Sequence, residues 1–252
     1  MRRLIALFLL SLLAPLAATA QDSRKYAVLS LVGDKLLNVT REMSTGSRLD
    51  KNDRAFVELP DNSIDRAVTI AVDDALCRAN PGSQPILLHS RRADLYEASF
   101  QSMDRRDGVA RVYAAVKPIV EKTGATHLVL VTKHRNRAML RLRDGHVGSG
   151  FLEGVGFYVD HGTMARGVDT NDAEAGFIAP FSYMMISLVD LKTGQIVSQQ
   201  HVIGSNAAAP RPRERNVGNA WQRLDEKEKV ARLTEVIRDE ASRAVPMVVA
   251  HR

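Results

Sequence analysis

Apolar residues recur at helical spacing in three separate segments of the chain. These segments cover about residues 63–79, 109–123 and 225–245. Each carries its apolar residues at i, i+3, i+4 and i+7, the pattern of a helix with one buried face. Gly124 follows the second segment directly and is typical of a residue that ends a helix. The sequence therefore predicts three one-sided helices.

Short apolar or β-branched runs between these segments predict β-strands. The run at 126–132 is apolar almost throughout, which indicates a strand covered on both faces. Gly33-Asp-Lys35 separates runs 26–32 and 36–42, and Leu191-Lys-Thr-Gly194 separates runs 181–190 and 195–203. Turn residues between two such runs predict a hairpin at each place. Further strands are predicted at 55–59, 85–90, 137–143 and 147–160, and a polar loop at 161–176.

The segment Val147–Asp160 alternates in an unusual way. Its odd positions are mostly valine and phenylalanine, whereas four of its even positions are glycine. Such alternation predicts a strand with one apolar face and one bare face. Two interpretations are open: an internal strand whose glycines admit a closely packed helix, or an amphipathic strand that packs on a partner chain or a membrane.

Interaction surfaces are expected in two places, the segment 147–182 and a linker at about 204–222. The linker contains proline and arginine and few apolar residues, so we expect it to be mobile. The candidate interaction residues are Phe151, Val155, Phe157, Tyr158, Arg211 and Arg213.

Together these elements predict an α/β (α+β) fold with one mixed sheet, about three helices packed on it, and β-hairpins. The 252 residues suit a short leader followed by one domain, residues 21–252. Residues 1–20 begin with two arginines, continue with an apolar run and end with Ala-Thr-Ala. This order predicts a cleavable signal peptide, and no cysteine follows it for lipidation. We therefore expect a periplasmic protein.

Charge and cysteine content limit the partners and the redox chemistry. Loss of Arg2 and Arg3 with the leader lowers the formal charge from +6 to +4, which is a weak basic excess. The single cysteine, Cys77, has no partner for an internal disulfide and reads as a small core residue. Only 5% of residues are aromatic, so stacking platforms for nucleic acid are lacking and no nucleic-acid partner is expected.

Several short motifs imitate catalytic ones without their partners. Lys35 replaces the serine of a G-D-S-L esterase block, and Lys192-Thr-Gly194 lacks an S-x-x-K companion. The glycines of 148–156 lie inside a predicted strand rather than before a helix, so they do not predict a phosphate loop. Asp160-His161 is the only carboxylate beside an imidazole, and the seven histidines show no metal-ligand spacing. No catalytic residue, cofactor or metal is predicted.

Three stretches resemble the α/β fold shared by the TolB amino-terminal domain, the curli-secretion lipoprotein and the lipoprotein activators of peptidoglycan synthases. They are residues 26–31 (YAVLSL), 124–130 (GATHLVL) and 188–197 (LVDLKTGQIV). The resemblance implies a non-catalytic envelope protein that works through contacts. We expect a binding or assembly protein whose partner is an envelope protein or another copy of the chain, with peripheral contact to anionic membrane. The alternatives are a periplasmic hydrolase with an unrecognised site near Asp160 and His161, and a membrane-inserting oligomer.

Overall fold

The computed structural model describes residues 24–42, 52–59, 61–142, 145–166, 173–207 and 224–250, with only the backbone at 164–166 and 173–175. The predicted leader lies outside this part of the chain. The described residues form the following strands: β1 Tyr26–Leu31, β2 Lys35–Thr40, β3 Asp53–Glu58, β4 Ile86–Leu88, β5 His127–Lys133, β6 Arg135–Arg137, β7 Leu140–Leu142, β8 Gly145–Val147, β9 Phe151–Arg166, β10 Ala173–Asp190 and β11 Ile196–Ser205. They also form the helices α1 Ser63–Ala79, α2 Ala93–Ser102, α3 Gly108–Val120 and α4 Glu226–Val249.

Nine of the described strands make one mixed sheet that is organised around the long strand β10. Strand β11 pairs along one edge of β10, at Phe181–Val189. On the opposite edge, β10 pairs first with β9, at Ala173–Tyr183, and then with β5, at Met184–Asp190. Strands β9 and β5 therefore follow one another along the same edge. The predicted fold class, one mixed sheet with helices packed on it, is confirmed.

The predicted hairpin at Gly33-Asp-Lys35 is wrong. Strand β1 pairs in parallel with β5 and β4, whereas β2 pairs in parallel with β9 and antiparallel with β3. Because β5 and β9 both run antiparallel to β10, β1 and β2 run in the same direction, one after the other. The residues Val32–Asp34 are thus a break between two collinear strands. The hairpin at Leu191–Gly194 is confirmed, since β10 and β11 pair across it.

Alternating residues of the sheet build separate cores on its two faces. Val28 of β1 and Val129 of β5 pack with helices α1 and α4, whereas Leu29 and Leu128 pack with α2 and α3. Strand β5 is buried on both faces, as its continuous apolar run predicts. The three predicted helices correspond to α1, α3 and α4, and α2 was not predicted. Gly124 ends the turn after α3 with a positive φ of 69°.

A third core cluster lies where the chain leaves the sheet between β5 and β9. The described residues of this segment, 134–142 and 145–150, are called the flap below, and its first strand, β6, still pairs with the start of β9. Its hairpin β7–β8 contributes Leu140 and Leu142 to a cluster that contains Tyr158 and Tyr183. The strand predicted at 137–143 is therefore divided between β6 and β7. The polar loop predicted at 161–176 is partly strand, because β9 and β10 continue pairing beyond Asp160.

Two further observations concern the helices and the predicted linker. Helix α4 begins with a capping box, in which the Asp225 carboxylate accepts from the backbone N–H of Glu228 at 2.7 Å. Among the described residues, no helix is both long and apolar enough to cross a bilayer.

Of the predicted linker, Gly204 and Ser205 belong to β11, and residues 208–222 lie outside the described part.

Candidate functional site

Three of the predicted interaction residues lie inside the protein's own core. Val155, Phe157 and Tyr158 are at most 2% exposed, because β9 is covered on both faces by packed side chains. A partner could reach them only if the fold opened. Phe151, at the start of β9, is 39% exposed, and the Arg135 guanidinium lies over its ring. Arg211 and Arg213 lie outside the described residues, so their role stays a prediction.

Gly156 of β9 admits a neighbouring strand rather than a helix. A Cβ atom added at Gly156 would clash with the backbone carbonyl oxygen of Leu37 on β2. Gly156 faces Leu37 directly in the parallel pairing of these strands. The face expected to be bare is filled by large residues of nearby strands, among them Phe177, Phe181 and Tyr183. The alternation therefore reflects close packing within the sheet.

The most exposed apolar strand is β3, at the edge of the sheet. Among the described residues β3 pairs only with β2, so its other edge is open. Phe56 is 46% exposed and Val57 is 44% exposed, and neighbouring residues of a strand point to opposite faces. Within the described part of the chain, β3 thus has one edge without a partner strand, together with apolar side chains on both faces. Such an edge can receive a strand from another chain.

A crevice opens where the parallel strands β1 and β4 end. It has a volume of about 520 Å³ and is lined mostly by charged side chains, including Asp34, Lys35, Glu58 and Arg91. The carboxyl ends of parallel strands are the usual position for a ligand in an α/β sheet. Lys35 is 3.6 Å from Glu58, and Lys133 is 2.6 Å from Asp34. Of the charged residues that line the crevice, Lys35 and Glu58 thus pair with each other, and Asp34 pairs with Lys133 beside it.

Behind the crevice lies a buried polar network centred on Asp65, in the first turn of α1. Its Oδ1 atom accepts hydrogen bonds from the Ser30 hydroxyl at 2.5 Å and from the backbone N–H groups of Val32 and Gly33 at 3.0 and 3.1 Å. Burial raises the pKa of the Asp65 carboxyl, against the opposing effect of these hydrogen bonds. This carboxyl fixes the break between β1 and β2.

The second oxygen of Asp65 extends the network to α2. Its Oδ2 atom accepts a hydrogen bond from the Tyr96 hydroxyl at 2.6 Å, and the carbonyl oxygen of Ser90 is a second acceptor, 2.9 Å from the same hydroxyl. Asp65 thus has a structural role, in which one carboxyl joins β1, α1 and α2.

A second titratable pair joins His134, the first residue of the flap, to His201 on β11. The two ring nitrogens are 3.0 Å apart, and the rings meet edge to face. Burial lowers the pKa of His134, the charge of His201 lowers it further, and Asp104 partly opposes both effects. In the part of the chain that the structure describes, no three His, Cys, Asp or Glu side chains form a group suited to a metal ion.

Asp160 is already engaged by groups other than His161. Its carboxylate accepts hydrogen bonds from the Arg41 guanidinium at 2.7 Å and from the backbone N–H groups of Gly162 and Thr163, both at 2.8 Å. Arg41 also contacts the hydroxyl of Thr163. Burial would raise the pKa of Asp160, but these hydrogen bonds hold it below its usual range. The carboxylate proposed to assist His161 thus serves to shape β9.

No family model matches the chain, and no curated protein matches it. Solved structures similar to it include the PelC dodecamer from Paraburkholderia phytofirmans, with 10% identity over 87% of this chain and 86% of that chain and a TM-score of 0.32. Protein CT253 from Chlamydia trachomatis has 11% identity over 90% and 94%, with a TM-score of 0.32. The LpoB C-terminal domain from Salmonella enterica has 13% identity over 74% and 82%, with a TM-score of 0.22. These are distant similarities of an α/β chain, and they carry no argument about its function.

Proposed function

We propose that this chain is an exported, non-catalytic binding or assembly protein of the bacterial cell envelope. The observation that carries the proposal is the open edge of β3, with Phe56 and Val57 exposed on opposite faces. Exposed apolar side chains on an unpaired edge are costly in isolation and become buried when a partner adds a strand. The partner is an envelope protein or a second copy of the chain. The predicted leader supports the proposed location.

The state of the titratable groups agrees with a role through contacts. Asp65 takes part in a buried structural network, Asp160 is engaged by Arg41, and Asp34 at the crevice is paired with Lys133. His161 takes part in none of these contacts. The hydrolase centred on His161 therefore remains a hypothesis without a supporting contact.

The proposal is tested with the mature chain, expressed with its leader in a Gram-negative host. Size-exclusion chromatography with light scattering reports self-association, and chemical crosslinking in the periplasm reports envelope partners. The double variant Phe56→Lys/Val57→Lys should lose the complex, because two charges would be buried at the interface. Ile70→Lys/Met247→Lys is the matched control, since it places lysines at equally exposed apolar positions on α1 and α4.

A complex that disappears in the β3 variant and persists in the control supports the proposal. A wild-type chain that stays monomeric and crosslinks to no envelope component would end it. Equal loss in both variants would show that general surface hydrophobicity, rather than β3, holds the partner.

A further inference from the structure

The flap has an inner and an outer face with different chemistry. Its inner face packs Leu140 and Leu142 into the third core cluster, and both are at most 8% exposed. The residues between and before them, Arg137, Met139 and Arg141, are exposed. The flap is thus a two-faced ribbon that is fixed to the sheet by its apolar side and presents arginines outward.

The positive charges on the outer face are only partly balanced. The Arg135 guanidinium lies 3.7 Å from Asp104 and 3.6 Å from the buried Glu153, which also pairs with Arg54 at 2.9 Å. Arg137 and Arg141 form no ion pair with any described residue. Burial raises the pKa of Glu240, and the charges of Arg243, its ion-pair partner, and of Arg141 oppose this effect. Among the described residues of the flap, these two arginines leave an excess of positive charge that faces the solvent.

Apolar side chains accompany these arginines on the same surface. Phe151 lies directly opposite Arg137 in the pairing of β6 with β9, and directly opposed residues share one face. Met139 is 45% exposed and Phe151 is 39% exposed. The guanidinium of Arg135 lies over the ring of Phe151, 5.3 Å from its centre. The outer face therefore combines unbalanced cations with side chains suited to an apolar boundary.

We propose that the outer face of the flap docks on an anionic phospholipid surface, with Arg137 and Arg141 at the headgroups and Met139 at the acyl boundary. Basic residues beside exposed apolar ones are the composition of interfacial binding sites. A single-stranded nucleic acid fits less well, because it needs free aromatic faces and the ring of Phe151 is covered by Arg135. The inference deepens the proposed function, since it rests on the envelope location.

Vesicle sedimentation tests this assignment with the mature chain. The probes are vesicles of phosphatidylethanolamine with about a third phosphatidylglycerol, and vesicles of phosphatidylcholine alone. We expect binding to the anionic vesicles, a roughly 10- to 30-fold weaker partition for Arg137→Gln/Arg141→Gln, and a further dependence on salt. Met139→Ser should weaken binding about three- to tenfold by removing the apolar contact.

Arg66→Gln/Arg238→Gln is the matched control, because it removes two exposed arginines from α1 and α4 and lowers the net charge equally. It should bind as the wild type does. Equal loss in both double variants would show that net charge alone acts, and binding to an oligonucleotide without binding to vesicles would overturn the lipid assignment. If the chain does not bind vesicles but still forms its complex through β3, this inference is wrong and the proposed function stands.

Discussion

The Tyr96 hydroxyl lies 2.6 Å from Oδ2 of Asp65, although the two side chains belong to helices on opposite faces of the sheet. They meet beyond the carboxyl end of β1, where Ser30 donates to the other oxygen of the same carboxyl. One buried group thus links α1, α2 and the break between β1 and β2.

Asp65→Asn should keep this network, because its amide oxygen accepts where Oδ1 accepts, and its NH2 group can donate to the Tyr96 hydroxyl, which then donates to the Ser90 carbonyl oxygen. Its free energy of unfolding at pH 5 is expected to stay within about 1 kcal/mol of the wild type. Asp65→Ala leaves the Ser30 and Tyr96 hydroxyls and two backbone N–H groups without their acceptor. It should lose about 2 to 4 kcal/mol in urea unfolding.

The same pair of variants tests the protonation state. Because the folded pKa of Asp65 is raised above the unfolded value of about 3.9, its stabilising contribution is complete below that value and is lost as the pH rises through the folded pKa. The stability of the wild type relative to Asp65→Asn should therefore fall as the pH rises above about 3.9. A relative stability that rises with pH over this range would mean that the folded pKa of Asp65 is lowered instead.

Gly156→Ala is expected to disrupt the contact between β9 and β2. The added Cβ would clash with the backbone carbonyl oxygen of Leu37, and a backbone atom in a paired strand cannot move away cheaply. We expect a loss of about 2 to 4 kcal/mol in the free energy of unfolding. Gly82→Ala is the control: its site is open but has a φ of 95°, so only a backbone cost of about 1 kcal/mol applies. Equal losses in both variants would contradict the close approach.

The histidine pair should make the protein sensitive to acid. The folded pKa of His134 lies below its usual value of about 6.5, so the stability it supports is complete above that value and is lost as the pH falls through the folded pKa. His201→Gln keeps a hydrogen-bond partner for His134 without a second charge. Measured between pH 7 and 5, the variant should lose less stability than the wild type.

His146→Gln serves as the control for this measurement, because His146 is exposed on β8 and lies apart from His134 and His201 in the sequence. It should follow the wild type across the same range. Asp65 changes stability in the opposite direction with pH, so the comparison uses the difference between wild type and variant at each pH. An identical pH dependence for His201→Gln and wild type would show that the pair carries no titration.

Helical periodicity predicted α1, α3 and α4 because their apolar stripes are continuous. Helix α2 was not predicted because serines occupy part of its buried face. Ser99 and Ser102 are buried there, whereas Phe100 is 43% exposed. An apolar stripe cannot form from such residues. The sequence pattern therefore identifies helices that bury large side chains and misses one that packs through small polar ones.

Local sequence patterns could not predict which distant strands pair with one another. Gly33-Asp34 has the composition of a hairpin turn, but the Asp65 carboxyl binds the backbone there and β9 takes the place beside β2. The Asp65 network joins residues separated by about thirty positions, and nothing in its neighbourhood marks it. The exposure of β3 likewise follows only from its place at the edge of the sheet.

The turn at Asp160 has the same Asp-x-x-Thr pattern as the turn at Asp190, so the second turn provides a matched control for the first. In Asp160-x-x-Thr163 and Asp190-x-x-Thr193, the aspartate accepts hydrogen bonds from the two backbone N–H groups that end the turn. Asp160 differs because it is 2% exposed and pairs with Arg41 at 2.7 Å. Beyond it, the described part of β9 pairs only with β10. Asp160 therefore lies at the base of this part of the β9–β10 pair.

Asp160→Asn should loosen that base, since it removes the charge that Arg41 neutralises. We expect a loss of about 1.5 to 3 kcal/mol and faster amide hydrogen exchange at residues 162–166 and 173–176. Asp190→Asn should speed exchange only in its own hairpin. Because the folded pKa of Asp160 lies below its usual value, the wild type should lose this contribution only as the pH falls below about 3.9. Unchanged exchange at 162–166 in Asp160→Asn would show that the strand pairing alone keeps these residues ordered.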